Sequence, residues 1–168
     1  MKFENGLVLF WGEEFSQWYI APMAIGSVTY NCCEQYMMAR KAMLFNDMET
    51  LARIMAEKNP RLQKFLGREV KNFIGHEWDM IAQDVIYIGN LAKFKQHPKL
   101  QELMFSFRDP DKDVEFVEAS PLDKIYGIGL SETDPDALDK SKWKGLNWLG
   151  QALTRVRNTL AEGQTFHD

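Results

Sequence analysis

Cysteine is nearly absent from this sequence: among 168 residues only Cys32 and Cys33 occur, side by side. Adjacent cysteines do not form a comfortable disulfide, so no staple is expected and a reducing cytoplasm is the expected setting. Histidine is also scarce, and His76, His97 and His167 lie far apart. With two thiols they are too few and too scattered for a structural zinc cluster. There is no phosphate-cradling Walker loop, no dinucleotide glycine fingerprint and no serine in a nucleophile elbow. No apolar run approaches the roughly 18–20 residues that cross a bilayer. The N-terminus, Met1-Lys2-Phe3-Glu4-Asn5, has no apolar core of a secretory leader. Positive charge is not in excess either: 20 Lys+Arg against 24 Asp+Glu leaves a net charge of −4. That balance argues against a protein built to grip nucleic-acid phosphates, yet it leaves room for a small anion held by two or three local cations.

What the sequence does contain is a core. It is 45% hydrophobic, with 11 Phe, 5 Trp and 5 Tyr, which is ample apolar surface to bury. Its length fits one domain on the usual scale of roughly 100–200 residues. We expect a single domain over residues 1–168, with a core from about 7 to 161 and a frayed tail over 163–168. Short strands are predicted at Leu7–Trp11, Phe15–Ile20, Val28–Tyr30 and Val114–Ala119. The period turns helical after Asn31, where Asn31 and Glu34 have the spacing of a capping box. Further helices are predicted after Asn46-Asp47, from Pro60 to about Gly67, over Glu77–Gln96, after His97-Pro98, and from an Asn147 cap to about Ala161. In the long helix the predicted apolar face is Trp78, Ile81, Val85, Ile88, Leu91 and Ala92. Gly89 inside it costs about 1 kcal/mol relative to alanine, which calls for close packing or a ligand at the backbone. The fold class is α+β, mostly helical with a small β-sheet.

Two stretches carry unusual chemistry. In Asn31–Ala42, Glu34, Met38 and Lys41 fall at i, i+4 and i+7, so an acid and a base share an otherwise apolar helical face. Burying them is costly unless each finds a partner. Spacing alone leaves two readings open: Glu34 completes the cap while Lys41 snorkels to solvent, or both work in a site. In Glu115–Gly129 a strand delivers Glu118, a turn delivers Asp123, and Gly127 and Gly129 beside Tyr126 would let a ring or phosphate approach the backbone. A plain surface turn is the alternative there.

These stretches and their neighbours resemble the YbiA-like proteins of the NADAR superfamily. The matching pieces are Phe15-Ser16-Gln17-Trp18-Tyr19, the Glu34–Ala42 helix, Leu66-Gly67-Arg68-Glu69-Val70, Trp78, and Gly89-Asn90 with Lys93-Phe94. They continue with Glu118-Ala119-Ser120-Pro121 and Asp123, Gly127-Ile128-Gly129, Trp143, Gly145, Asn147, Leu149-Gly150 and Val156-Arg157. The pieces are collinear over about residues 10–158. Tyr126 departs from the family, which commonly has Trp there; tyrosine still stacks, so the change bears on substrate preference.

The resemblance implies an N-glycosidase that hydrolyses a ribosyl C1′–N bond. One branch acts on phosphoribosylamino-pyrimidine intermediates of riboflavin biosynthesis, and others act on ADP-ribose derived from NAD, including ADP-ribose on nucleic-acid guanine. A non-catalytic module that binds ADP-ribose or an NAD derivative is the rival. By the same resemblance Glu34 and Asp123 are catalytic and Trp78 stacks on the base. Lys41 and Arg68 hold phosphate or ribose oxygens and Asn90 bonds ribose or base, while Glu118, Tyr126, Gly127 and Gly129 line the substrate. Cleavage develops oxocarbenium charge at C1′, which a carboxylate stabilises, while water loses a proton and the leaving nitrogen gains one. Two carboxylates suffice for that, so neither metal nor organic cofactor is expected. The expected ligand is a small phosphoribosyl or ADP-ribosyl molecule, with nucleic acid only as a modified substrate and no membrane partner. Glu34, Trp78 and Asp123 are expected to converge on one cleft, with Glu34 ionised at neutral pH.

Overall fold

The computed structural model of the protein describes residues 1–164. In chain order its elements are β1 (Lys2–Glu4), β2 (Leu7–Phe10), β3 (Met23–Ile25), β4 (Val28–Tyr30), α1 (Cys33–Leu44), α2 (Met48–Ala56), α3 (Pro60–Arg68), α4 (Gly75–Gln96), α5 (Pro98–Ser106), β5 (Glu115–Glu118) and α6 (Trp148–Gln164). Single 3-10 turns occupy Glu13–Phe15, Pro135–Leu138 and Lys140–Lys142. The class is α+β, helix-rich with two small sheets. The residues group into two compact units, 1–16 with 97–164, and 17–96.

In the first unit, Asn5 and Gly6 both adopt positive φ (54° and 76°) and join β1 to β2. Asn-Gly is the dipeptide that such two-residue hairpins favour, because both central positions need φ > 0. β5 then pairs parallel to β2, Leu7 opposite Glu115 and Phe10 opposite Glu118. All of β2 is buried, with Phe116 and Val117 of β5 beside it. Each such side chain contributes about 1.5–3 kcal/mol on burial. Phe15 joins them, its ring 4.8 Å from Phe116 and 6.1 Å from Phe107. The strand predicted over Phe15–Ile20 does not form, because Phe15 is drawn from a 3-10 turn into this ring cluster.

The outer edge of β5 is closed by side chains of or next to α6. The Phe116 N–H donates to Thr154 Oγ1 (2.9 Å), and the Glu118 N–H to Asn147 Oδ1 (3.0 Å). Asn147 Nδ2 donates to the Phe116 carbonyl (3.1 Å). Asn147 was expected to cap α6; its side chain instead holds the strand, because an open edge has unpaired groups to satisfy. α6 runs past the expected end at Ala161 through Gly163 and Gln164, and the remainder of the expected frayed tail, 165–168, lies outside the described residues.

In the second unit, α1 packs against α2, α3 and α4, and every residue from Cys33 to Ala39 is buried. Asp47 caps α2, its carboxylate accepting from the Thr50 N–H (3.1 Å) and hydroxyl (2.7 Å). Asn59 caps α3, with Pro60 in the first turn. α4 runs unbroken through Gly89. A Cβ there would meet Tyr36 Cδ1 at 2.9 Å, so close packing of α1 on α4 explains the glycine. The buried face of α4 is not the one that the apolar residues mark. Trp78 and Val85 are on it, but Ile88 is 37% exposed, and Gly89, Asn90 and Lys93 are buried instead.

Candidate functional site

α1 begins one residue later than its sequence pattern suggests. Cys32 is the N-cap and makes no side-chain capping bond. The reciprocal bond of the expected capping box belongs to Gln35, whose Oε1 accepts the Asn31 N–H (2.8 Å). Gln35 Nε2 donates onward to the Ile54 carbonyl (3.1 Å) and the Glu57 carbonyl (3.2 Å) at the end of α2. The bond that the capping-box pattern would give to Glu34 is thus made by Gln35. Glu34 is nonetheless 3% exposed, and its backbone N–H donates to the Gln17 carbonyl (3.0 Å). An acid taken into the interior where capping does not require it calls for another use.

Two turns along α1, the Lys41 ammonium lies 4.4 Å from the centroid of the Phe73 ring. Burial pushes its pKa below the ordinary lysine value, the Glu34 charge opposes that shift, and the Arg68 charge adds to it. The Glu34 and Arg68 charges thus both bear on Lys41. Gly67 helps α3 come this close, since a Cβ there would fall 1.9 Å from Met38 Sδ. Neither Lys41 nor Arg68 has an ion-pair partner among the described residues.

The rest of this unit adds Lys93, a piece of the family resemblance that was given no role there. Lys93 is fully buried, its Nζ 5.3 Å from the centroids of the Tyr19 and Phe94 rings, and its charge bears on Cys33. Lys93 stands three residues after Asn90 on α4, so the spacing was there to be read, but a lysine does not register in a count of apolar recurrence. Asn90 is fully buried: its Nδ2 donates to Gln17 Oε1 (2.8 Å) and the Ile86 carbonyl (2.9 Å), and its Oδ1 accepts from Cys33 Sγ (3.6 Å). These bonds occupy both amide hydrogens of Asn90, which was expected to bond ribose or base. Trp78, expected to stack on a base, is 5% exposed at the start of α4. Burial pushes the Cys32 thiol up to about 11 and Cys33 up to about 12, which leaves neither as a thiolate nucleophile at neutral pH.

The other predicted site residues lie in the first unit, in the turn after β5. Ser120 Oγ accepts from the Leu122 and Asp123 N–H groups (3.3 and 3.1 Å), and Asp123 Oδ1 from those of Ile125 and Tyr126 (2.9 and 2.8 Å). Asp123 therefore builds the turn with one oxygen and leaves Oδ2 outside these bonds. The Tyr126 ring stands edge-on to Trp148, centroids 6.0 Å apart. Glu118 ends β5, partly buried. Gly127 and Gly129 were expected to admit a ligand, but the chain itself comes close. A Cβ on Gly127 would meet the Glu118 carbonyl at 2.9 Å, and Gly129, at φ +70°, has Lys124 and Lys144 3.1 Å from its Cβ position. A cleft of about 560 Å³ in this unit, lined by Glu115, Lys140, Trp143, Gln151, Arg155 and Asn158 among others, contains none of the predicted residues.

Among the described residues no cluster of His, Cys, Asp and Glu could hold a metal ion, and no helix is long and apolar enough to cross a membrane. The chain is 38% identical over 146 residues to the N-glycosidase R617 of Acanthamoeba polyphaga mimivirus, a match covering 87% of this chain and 76% of that one. It is also 38% identical over 139 residues to Protein irg-1 of Caenorhabditis elegans, covering 82% of this chain and 64% of the nematode protein. To N-glycosidase YbiA of Escherichia coli it is 27% identical over 148 residues, 88% of this chain and 81% of the relative. The fold matches the NMR structure of E. coli YbiA with a TM-score of 0.77 at 23% identity, covering 99% of this chain and 92% of that one. The NADAR domain model matches residues 9–161, through both units, and this chain belongs to the NADAR domain family.

Proposed function

We propose that the protein is an N-glycosidase that hydrolyses the ribosyl C1′–N bond of a small phosphorylated ribosyl substrate. The observation that carries this reading is the group on α1 and α3: a buried carboxylate, Glu34, whose charge bears on Lys41, with Arg68 a second cation and, among the described residues, no ion pair on Lys41 or Arg68. Lys41 and Arg68 take the phosphate oxygens by charge-assisted hydrogen bonds. Glu34 faces the positive charge that grows at C1′ as the C–N bond breaks, and either stabilises it or takes a proton from the attacking water. Such a carboxylate is most effective in a water-poor setting, where its interaction with the oxocarbenium is weakly screened. The family resemblance gives a further role to Asp123, whose Oδ2 lies outside its turn bonds, and Trp78 is the aromatic group of the 17–96 unit for the base. The names of the mimiviral and bacterial relatives support the bond class. As substrate we favour a phosphoribosylamino-pyrimidine intermediate of riboflavin biosynthesis, with ADP-ribosylated guanine the alternative. The buried, free thiols of Cys32 and Cys33 suit a cytoplasmic protein.

The test is direct. The pure protein is incubated with a phosphoribosylamino-pyrimidine and, separately, with ADP-ribosylated guanosine, and free sugar is assayed. Release of ribose 5-phosphate from the first supports the reading as stated, and release of ADP-ribose from the second alone moves the substrate to the other branch. Tight calorimetric binding of either ligand, recovered intact, would replace the enzyme by a binding module.

A further inference from the structure

Asn90 and Gln17 use their polar groups on each other, on the start of α1 and, for Asn90, on the Ile86 carbonyl of α4. Gln17 comes from the segment before β3 and is 9% exposed. Its backbone carbonyl accepts the Glu34 N–H at 3.0 Å, and its Oε1 accepts Asn90 Nδ2 at 2.8 Å. Its Nε2 is 3.9 Å from Met37 Sδ, one turn along α1 from Glu34. Asn90 in turn is anchored to its own helix through the Ile86 carbonyl, 2.9 Å away. Its Oδ1 accepts from Cys33 Sγ at 3.6 Å. Cys33 immediately precedes Glu34, and with its thiol held protonated it remains an S–H donor.

We infer that the Asn90–Gln17 pair is a positioning clamp for Glu34, fixing the first turn of α1 to α4 from both sides of the carboxylate-bearing residue. One arm is the Gln17 carbonyl on the Glu34 N–H; the other is the Asn90 amide oxygen on Cys33. Gly89, beside Asn90, lets α4 approach Tyr36 closely enough for both arms to reach. Neither clamp residue contacts substrate. They act through the geometry of Glu34, and a displacement of about 1 Å at a reacting group costs about 100-fold in rate. A buried amide pair suits this task, because each unmet hydrogen bond in the interior is costly and the pair has one satisfied arrangement.

The inference rests on the reading that Glu34 carries the chemistry, so the experiment separates the two. Gln17→Met keeps length and apolar bulk but removes the acceptor for Asn90, whereas Gln17→Glu keeps an acceptor oxygen. Asn90→Ser is the companion change on α4. Steady-state kinetics with a phosphoribosylamino-pyrimidine as probe are run beside amide hydrogen exchange at Glu34. We expect Gln17→Met and Asn90→Ser to lose about 10–100-fold in kcat with KM changed less than about threefold. The Glu34 amide should exchange faster in both, and Gln17→Glu should recover most of the lost kcat. The double variant should lose no more than the worse single one, as for residues acting as a unit. If KM rises while kcat holds, Asn90 or Gln17 is a substrate contact and the clamp is wrong. Wild-type kcat in either folded single variant also overturns it. Should Asn90→Ser fail to fold, Gln17→Met alone decides by the same kinetic and exchange criteria. If Glu34→Gln itself keeps full activity, the functional reading fails instead, while faster exchange at Glu34 in Gln17→Met would still mark the clamp.

Discussion

In the unit of residues 17–96 a carboxylate, Glu34, is buried on a helix where Gln35, not Glu34, takes the Asn31 N–H. In the other unit a carboxylate, Asp123, gives one oxygen to two N–H groups of the turn that carries it. The glycines differ in a parallel way. Gly67 and Gly89 let helices come together around Glu34, while Gly127 and Gly129 make room for their own loop. The same residue types thus build a charged, helix-walled group in one unit and a tightly bonded turn in the other. Burial of an acid that the local fold does not need is the stronger sign of chemistry, and an acid that also holds its turn has two roles to separate.

Three changes sharpen or break that contrast. Asp123→Asn retains an oxygen for the Ile125 and Tyr126 N–H groups, so thermal stability should stay near wild type. The account expects kcat to fall about 100-fold, as for loss of a general acid or base; normal turnover in steady-state assays would make Asp123 a turn residue alone. Lys41→Met removes a partly buried cation. KM for the phosphorylated substrate should rise about tenfold, roughly 1.4 kcal/mol of binding, with kcat nearly held. The melting temperature should not fall, because the buried cation no longer has to be desolvated. An unchanged KM would take Lys41 out of the anion site.

The smallest effect concerns Asp47. The Lys71 N–H, and then the Thr50 hydroxyl and N–H, hold its carboxyl below the usual range. A depressed folded pKa contributes stability above the unfolded value of about 3.9, and that contribution is lost as pH falls through the folded pKa. Wild-type and Asp47→Asn melting temperatures should therefore differ at neutral pH and converge below pH of about 4. Parallel curves in a pH series of melts would contradict this.

Much of the frame was legible because local chemistry decides it. Asp47 and Asn59-Pro60 mark the starts of α2 and α3, and the apolar runs at Leu7 and Glu115 mark β2 and β5. β1 went unread although Asn5-Gly6 is a hairpin signal, since Lys2-Phe3-Glu4 is exposed and its pairing with β2 is what makes it a strand. Phe15 looked like a strand residue because aromatics favour sheets, and tertiary packing overrode that preference. The face of α4 was misjudged by following Ile88, when the interior takes Asn90 and Lys93, whose burial depends on partners from distant segments such as Gln17 and Tyr19. Glu34 and Lys41 were visible as a pair from their spacing. Gln17 and Lys93 entered only as pieces of the resemblance, without a role, and the Phe73 ring not at all, because their importance lies in what the fold brings to them.

The central claim is that Glu34 is buried to do chemistry and not to start a helix. Glu34→Gln keeps the shape and the backbone bond to Gln17 but removes the charge, and it is measured for turnover and for thermal melting in the same preparation. The expected melting temperature is close to wild type, because Gln35 makes the bond to the Asn31 N–H that a capping Glu34 would make, with a loss of about 10²–10⁴ in kcat. A protein that melts markedly earlier and turns over normally would contradict it and return Glu34 to a structural role.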